Sequence, residues 1–569
     1  MTLADQTNPA PPSTPGADPS AEATGPIEGT PEFPIAWETP WDPEVAWEWD
    51  DMHMPVALTP LAGDYVRVLA NGFNEFYETF GLPQRMHGRV WNGYTYFGLV
   101  RSYPDAERPA MLQKFTDILR ERVAFCEVYW HDDVLPEVRS LEAGIRAVKV
   151  DALPLGELAD AWAAAWQATA RLWQLHFNIV HIPYQVVEDL ADLYEGLFPD
   201  APKGEAAGMA SGTRSVLVDV DLGMERLAAI ATRHPGLRDR IVDAATAARE
   251  GRRNLEPADL DGADGAAELL AELKRFLDSH GHLGQNVDDL AMPSWADEPS
   301  MVLANLGTRL SAPPEAPEDR RRRLETEAER LAERTRQRLA DDPEQLARFE
   351  ELYRLARVVA PLTEIHNYWI DRMAQARLRA FALRVGARLV AAGAIARPDD
   401  IFFFRRDEAA ILLSDTSDRR TLVAGRRAEH ARNQARTPIR NVGAPPPPPV
   451  ADRFGAERQE TNEPDMLLGT GASAGVVSGP ARVVLGPADF ARVRPGDIVV
   501  CPSSNPSWVP VFTIAGGLVT NTGGVLSHAA VVAREFGLPA VVGTGDATTR
   551  IADGRMVKID GTLGSVRLL

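Results

Sequence analysis

The chain has 569 residues, is 45% hydrophobic and 25% charged, and carries a formal net charge of −21. That is the balance of a globular protein with apolar sequence for more than one core, at roughly three or four domains of about 150 residues each. The acidic excess argues against a nucleic-acid partner, because a phosphate backbone needs a basic face. The charge is uneven: residues 1–66 hold twelve acids and no Lys or Arg. Of the 60 basic residues 55 are Arg, the pattern of codon bias in a GC-rich genome. Two cysteines, Cys126 and Cys501, make neither a disulfide framework nor a metal-site spacing, and fit a reducing, cytoplasmic setting. The first residues lack the charged and apolar regions of a secretory signal, and no stretch approaches 18 uninterrupted apolar residues, so no membrane association is expected.

Residues 1–33, rich in Pro, Ala, Gly and Thr, read as a disordered tail. Trp37, Trp41, Trp47 and Trp49 follow within thirteen residues; they either form an arm lying on the body of the protein or wall a pocket. Residues 34–436 read as a mainly helical domain. Early in it, HGRVWNGYTYFG (87–98) and VYWHDD (128–133) supply His87, Trp91, Tyr94 and His131, either as pocket walls or as plain core. The segment 159–180 places Trp162, Trp166, Trp173 and His176 at spacings of four, seven and three, which gathers them on one helical face.

His280-Gly-His282 followed by Asp288 and Asp289 has the residue types of an acid/base cluster, with helix-end hydrogen bonding as the plainer alternative. Residues 316–342 are charged nearly all round and read as a solvated helix, half of a helical hairpin, with Arg320 to Arg323 on its wet face. Residues 367–393 form another long amphipathic helix. Residues 437–465, with the run Pro445 to Pro449, read as a stiff linker that lets the last domain move.

From 466 onward the periodicity changes. ARVVLG (481–486), DIVVCP (497–502), GGLVTN (516–521), AVVGTG (540–545), RMVKID (555–560) and SVRLL (565–569) are β-branched runs bounded by Gly, Pro or Asp. Two short helices are expected between them, near 508–515 and from Ser527 to Phe536. Residues 466–569 hold eight basic residues and six acids, a slightly basic domain in an acidic chain. A strand running into TNTGG lets Gly523 and Gly524 bring the backbone close to a ligand, and His528 falls in the first helical turn, where free N–H groups favour an anion. A neutral imidazole there can attack a phosphoryl group; a histidine capping a helix in a core is the alternative.

TNTGGVLSHAAVVAREFGLPAVVG (520–543) resembles the signature of the mobile phosphohistidine domain of the phosphoenolpyruvate-utilising enzymes. GVVSGPARVV (475–484), RPGDIVV (494–500), the Trp508-Val-Pro510 step and DGRMVKIDGTLGSVRLL (553–569) fall in that family's order. The resemblance implies that His528 is phosphorylated and that Thr520, Gly523, Gly524, Ser527 and Arg534 support the phosphate, with Asn521 standing where relatives often have an acid. Residues 276–306, and more weakly Ile365 to Glu408, are similar to the acceptor-binding region of rifampin phosphotransferase. Leu283 replaces an Arg usual in that motif. An ATP-grasp equivalent is not found.

The expected fold is therefore α+β multidomain: a mainly α-helical acceptor-binding domain followed by a C-terminal swivelling α/β phosphohistidine domain (466–569). The expected function is that of a subunit of a two-component, dikinase-type phosphotransferase. A partner with an ATP-grasp domain would bind ATP and Mg²⁺ and phosphorylate His528. The phosphoryl group would pass to a small, aromatic (phenolic) hydroxyl compound, leaving AMP and phosphate, as phenylphosphate synthase does with separate subunits. His280 or His282 would take the acceptor proton, and Asp288, Asp289, His87, Trp91, Tyr94 and His131 would line the acceptor pocket, with no metal. A phosphoenolpyruvate-dependent phosphorelay carrier and a non-catalytic interaction protein are the alternatives.

Overall fold

The computed structural model describes residues 26–446 and 461–569, apart from 52, 124, 203, 250, 251, 285–288, 462, 505–507 and 526. Residues 1–25 of the expected tail, 447–460 of the expected linker, and Asp288 lie outside the described residues.

The aromatic segment folds into a small antiparallel sheet of β1 (Ala46–Trp49), β2 (Gln84–Trp91), β3 (Tyr94–Arg101) and β4 (Asn441–Gly443), in the order β2-β3-β1-β4. β2 and β3 pair down to Trp91↔Tyr94 across Asn92-Gly93, both with positive φ, which is the two-residue turn that matches strand twist. Phe33, Trp41, Trp47, Trp91, Tyr94 and Tyr96 pack together on this sheet. Two boundaries therefore shift. Phe33 is buried and Ile27 bridges to Gly443, so ordered packing reaches into the expected tail. β4 pairs with β1, so the helical domain's sheet claims residues expected in the linker.

The helical body is built on α1 (Pro60–Thr79) and a 43-residue helix, α2 (Leu155–Leu197), about 65 Å long at 1.5 Å per residue. Trp162, Trp166, Trp173 and His176 are all buried on α2, as their spacing predicts. One core lies between α1, α2 and later helices; a second surrounds the C-terminal half of α2. The charged hairpin is α4 (Pro317–Arg338) and α5 (Pro343–Val359), after α3 (Ala266–His280). Arg321, Arg322 and Arg323 make local ion pairs. Arg320 departs from the expected wet face: it is buried, donates to Asp221 at 2.5 Å, and lies 4.3 Å from the centre of the Phe536 ring in the last domain. The short helix α6 (Leu362–His366) runs through a π-turn, Asn367–Arg372, into α7 (Met373–Ala391).

The C-terminal unit is an eight-stranded sheet of β5 (Met466–Leu468), β6 (Thr470–Ser473), β7 (Val476–Val483), β8 (Ile498–Cys501), β9 (Gly517–Thr520), β10 (Ala540–Val542), β11 (Met556–Asp560) and β12 (Ser565–Leu568), ordered β5-β12-β11-β7-β8-β9-β10-β6. β7, β8, β9 and β10 run parallel, and the flanking strands are antiparallel. The six runs chosen from the sequence all contain strands; β5 and β6, short and lacking alternation, are additions. The helix after TNTGG is α8 (His528–Phe536), packed on the sheet through Ala529, Ala530, Val532 and Ala533.

Candidate phosphohistidine and acceptor site

α8 starts where the sequence places it. The Ser527 side chain caps it by accepting the Ala530 N–H at 3.4 Å, and Gly537 ends it with φ 64°. Gly523 has φ 107°, and a Cβ there would meet Ser527 Oγ at 2.7 Å, so this turn requires glycine. Thr520 is buried and its hydroxyl donates to the Thr522 carbonyl at 2.7 Å, which fixes the loop from inside without facing a ligand. Asn521 donates to Thr548 Oγ1 at 2.7 Å and accepts the Thr548 N–H at 2.9 Å. Arg534 turns away from His528. Its guanidinium donates to the Ala472 carbonyl at 3.1 Å, and burial pushes its pKa down to about 10. It is not among the residues that line the cavity with His528, since residues six apart on an α-helix lie on different faces.

α8 is docked on the helical body. Glu535 accepts the Gly212 N–H at 3.2 Å, and Arg320 covers Phe536. At the other end, His528 Nδ1 lies 2.9 Å from both carboxylate oxygens of Glu364 on α6. Glu364 is buried, and His528 Nε2 is buried with no hydrogen-bond partner. The ring is thus held as the tautomer with Nδ1–H donating to Glu364 and the Nε2 lone pair free.

His528 lines a cavity of about 360 Å³ between the two units. The C-terminal unit contributes Ser503 and Ser504 beyond β8, and Thr522, Gly523, Gly524 and Ser527 beyond β9. These are the carboxyl ends of parallel strands, where such sheets bind ligands. Ser504 Oγ is buried and unpartnered. The helical body, with Phe97 of β3, contributes an apolar wall with Leu69, Phe73, Trp173 and Phe177, and a polar floor with His176, His366, Asp371 and Arg372.

The floor is one cluster. His176 Nδ1 lies 2.6 Å from Asp371 Oδ1, and the His176 and His366 rings are 4.9 Å apart. His366 Nδ1–H donates to the Leu362 carbonyl at 2.5 Å. Burial lowers the His366 pKa to about 4. Burial raises the Asp371 carboxyl, but His176, His366 and Arg372 outweigh it and hold it below its usual value. The three side chains offer ligand atoms within 4.8 Å of one another, so they could hold a divalent ion.

The residues expected to serve the acceptor sit elsewhere. His280 Nδ1 is 2.9 Å from the Tyr368 hydroxyl, and His282 packs edge-on against the same ring at 4.3 Å. Burial lowers their pKa values to about 4 and about 3, and neither lines the cavity with His528. Asp289 is fully buried and accepts the Thr59 N–H and hydroxyl, both at 2.7 Å; it secures the start of α1. His87, Trp91 and Tyr94 belong to the N-terminal sheet, with His87 edge-on to Trp41 at 5.0 Å. His131 is exposed on a separate π-turn, Tyr129–Val134.

The site residues missed from the sequence are Glu364, His366, Asp371 and, as a functional group, His176. His366 and Asp371 are five apart, about 140° round an α-helix. The i→i+5 bonding of the π-turn brings them to one side. The usable signal was His176 on the Trp-rich face of α2.

Comparisons with known proteins agree with this division. Residues 493–564 match the family model described as PEP-utilising enzyme, mobile domain, and residues 184–364 match that of the rifampicin phosphotransferase fourth domain. The chain is 29% identical over 579 residues to chondramide synthase cmdD of Chondromyces crocatus, covering 96% of this chain and 14% of that protein. It is 33% identical to a rifampicin phosphotransferase of Streptomyces sp over 55% of this chain and 36% of that enzyme. It is 26% identical to the uncharacterized phosphotransferase YvkC of Bacillus subtilis over 70% of this chain and 47% of that protein. The chain thus spans between about one-seventh and about half the length of these relatives. Residues 493–564 are thus similar to the mobile domain of phosphoenolpyruvate-utilising enzymes, and residues 184–364 to the rifampicin phosphotransferase fourth domain.

Proposed function

We propose that the chain is the acceptor-binding and phosphoryl-carrying part of an ATP-dependent phosphotransferase. A nucleotide-binding ATP-grasp partner would hold ATP and Mg²⁺ and load His528 in dikinase fashion, giving AMP and phosphate. The C-terminal unit would then bring the phosphoryl group to a small aromatic hydroxyl compound in the cavity. The observation that carries this reading is His528, its Nε2 without a hydrogen-bond partner, lining a cavity with an imidazole–carboxylate floor.

In this reading, the phosphoryl group sits on Nε2, since Nδ1–H is committed to Glu364. Ser504 Oγ and the glycine-loop backbone receive its oxygens. The aromatic wall, with Phe73, Phe97, Trp173 and Phe177, orients a planar acceptor toward phosphorus. His176 takes the hydroxyl proton on Nε2, and Asp371 at 2.6 Å holds the ring and steadies the imidazolium that forms. This assigns the base to His176 instead of His280 or His282. Catalysis of the transfer is positioning and charge stabilisation.

The test is to mix the chain and a candidate ATP-grasp partner with ATP labelled at the β or γ position. Label from the β position appearing on wild type and absent from His528→Ala is the expected result. Label from phosphoenolpyruvate alone would replace this reading with the phosphorelay one, and no label from either donor would leave an interaction protein.

A further inference from the structure

The bond between Glu364 and His528 joins two units of the chain, and this has a consequence for when a phosphohistidine reacts. When P–Nε2 breaks, its electron pair returns to the ring. If Nδ1 is unprotonated the leaving group is an imidazolate, a very poor one. If Nδ1 carries a proton the leaving group is neutral imidazole. A carboxylate on Nδ1 favours the protonated form. Glu364 supplies that carboxylate from α6, with both oxygens 2.9 Å from Nδ1, and it belongs to the helical body, not to the unit that carries His528.

We propose that Glu364 makes the P–N bond of phosphorylated His528 labile only while the C-terminal unit is docked on the acceptor cavity. The inference rests on the reading that His528 carries the phosphoryl group. The step balances without a further reagent. The acceptor oxygen forms the P–O bond, its proton passes to His176, P–Nε2 breaks, and His528 is left neutral with its Nδ1–H still on Glu364. Undocked, the ring loses Glu364, and the phosphoryl group is protected from water in transit. The other titratable groups facing the cavity are Glu188, Asp371, Arg372, Tyr184 and the imidazoles of His176, His181 and His366, with Asp50 and His53 also in its wall. Asp371 is bonded to His176, and His53 to Asp50. Glu364 is the group bonded to the His528 ring.

The experiment loads the full chain with phosphoramidate, which needs no partner, and follows it by intact mass and ³¹P NMR. Wild type should gain one phosphoryl group that His528→Ala lacks. On titration, the midpoint of the phosphoimidazole proton should lie at least about one pH unit higher in wild type than in Glu364→Gln, a tenfold or greater difference in protonation. Loss of the phosphoryl group to solvent at pH 8 should be slower in the variant by a similar factor. Glu364→Gln is isosteric and still accepts from Nδ1–H, so it removes the charge and keeps the orientation. Glu364→Asp should recover part of the shift. Loaded wild type and Glu364→Gln with the same midpoint and the same lability would overturn the inference and leave the phosphohistidine reading standing. Phosphate gained equally by wild type and His528→Ala, or by neither, would overturn that reading and this inference with it.

Discussion

Two histidine clusters share the π-turn Asn367–Arg372, and their fates differ. Tyr368 packs with His280 and His282; Asp371 bonds His176 beside His366. Both clusters are buried and both contain two imidazoles. The first is closed off by aromatic packing, and His282 Nε2 is left without a partner. The second opens onto the cavity that receives His528. Residue type and burial do not separate an acid/base site from a packed histidine; access to a reacting atom does.

The strongest break would come at the histidine that shares the second cluster's cavity. His528→Ala should reduce phosphoryl loading and transfer by more than about 10³-fold, read as label on protein and product, because the nucleophile is gone. Next in size, Asp371→Asn should slow transfer from loaded protein to the acceptor by about 10²-fold and leave loading unchanged, as expected for a weakened general base. Equal loss in both steps would remove the base role.

The first cluster should show itself in stability. His280 and His282 keep folded pKa values of about 4 and about 3 against an ordinary 6.5. As pH falls below 6.5 the unfolded imidazoles bind protons that the folded ones refuse. The stability from keeping them neutral is therefore present above 6.5 and lost on going down toward 4, by at most about 1.4 kcal/mol per pH unit per group. Denaturant midpoints measured from pH 7 to 4 should fall, and His282→Asn should make that fall shallower. The smallest effect sharpens the contrast most: His282→Asn should leave acceptor transfer within about twofold of wild type. A loss of about tenfold or more would return the base to the first cluster, since general base catalysis is worth at least that much.

Legibility followed the same line. In the C-terminal unit, the recognised strands are short β-branched runs with Gly, Pro or Asp at one end or both for most of them, and His528 sits one residue after its cap Ser527, so local sequence placed the elements and the position of the histidine. The N-terminal sheet escaped because its strands are far apart in the chain: β1 pairs with β4 almost four hundred residues away, although Asn92-Gly93 marked the β2–β3 hairpin. Arg320 looked like its three neighbours and differs because Asp221 and Phe536 meet it from other elements.

By itself, the sequence determined the C-terminal α/β unit, the Trp-rich face of α2 and the helical nature of most of the body, because these rest on spacing within one element. Tertiary structure alone decided which histidines share a cavity with His528. That choice depends on α2, a π-turn and a docked domain bringing His176, Asp371, Glu364 and His528 to one cavity. Residues 176, 364, 371 and 528 have no common periodicity; what joins them is the packing of separate elements.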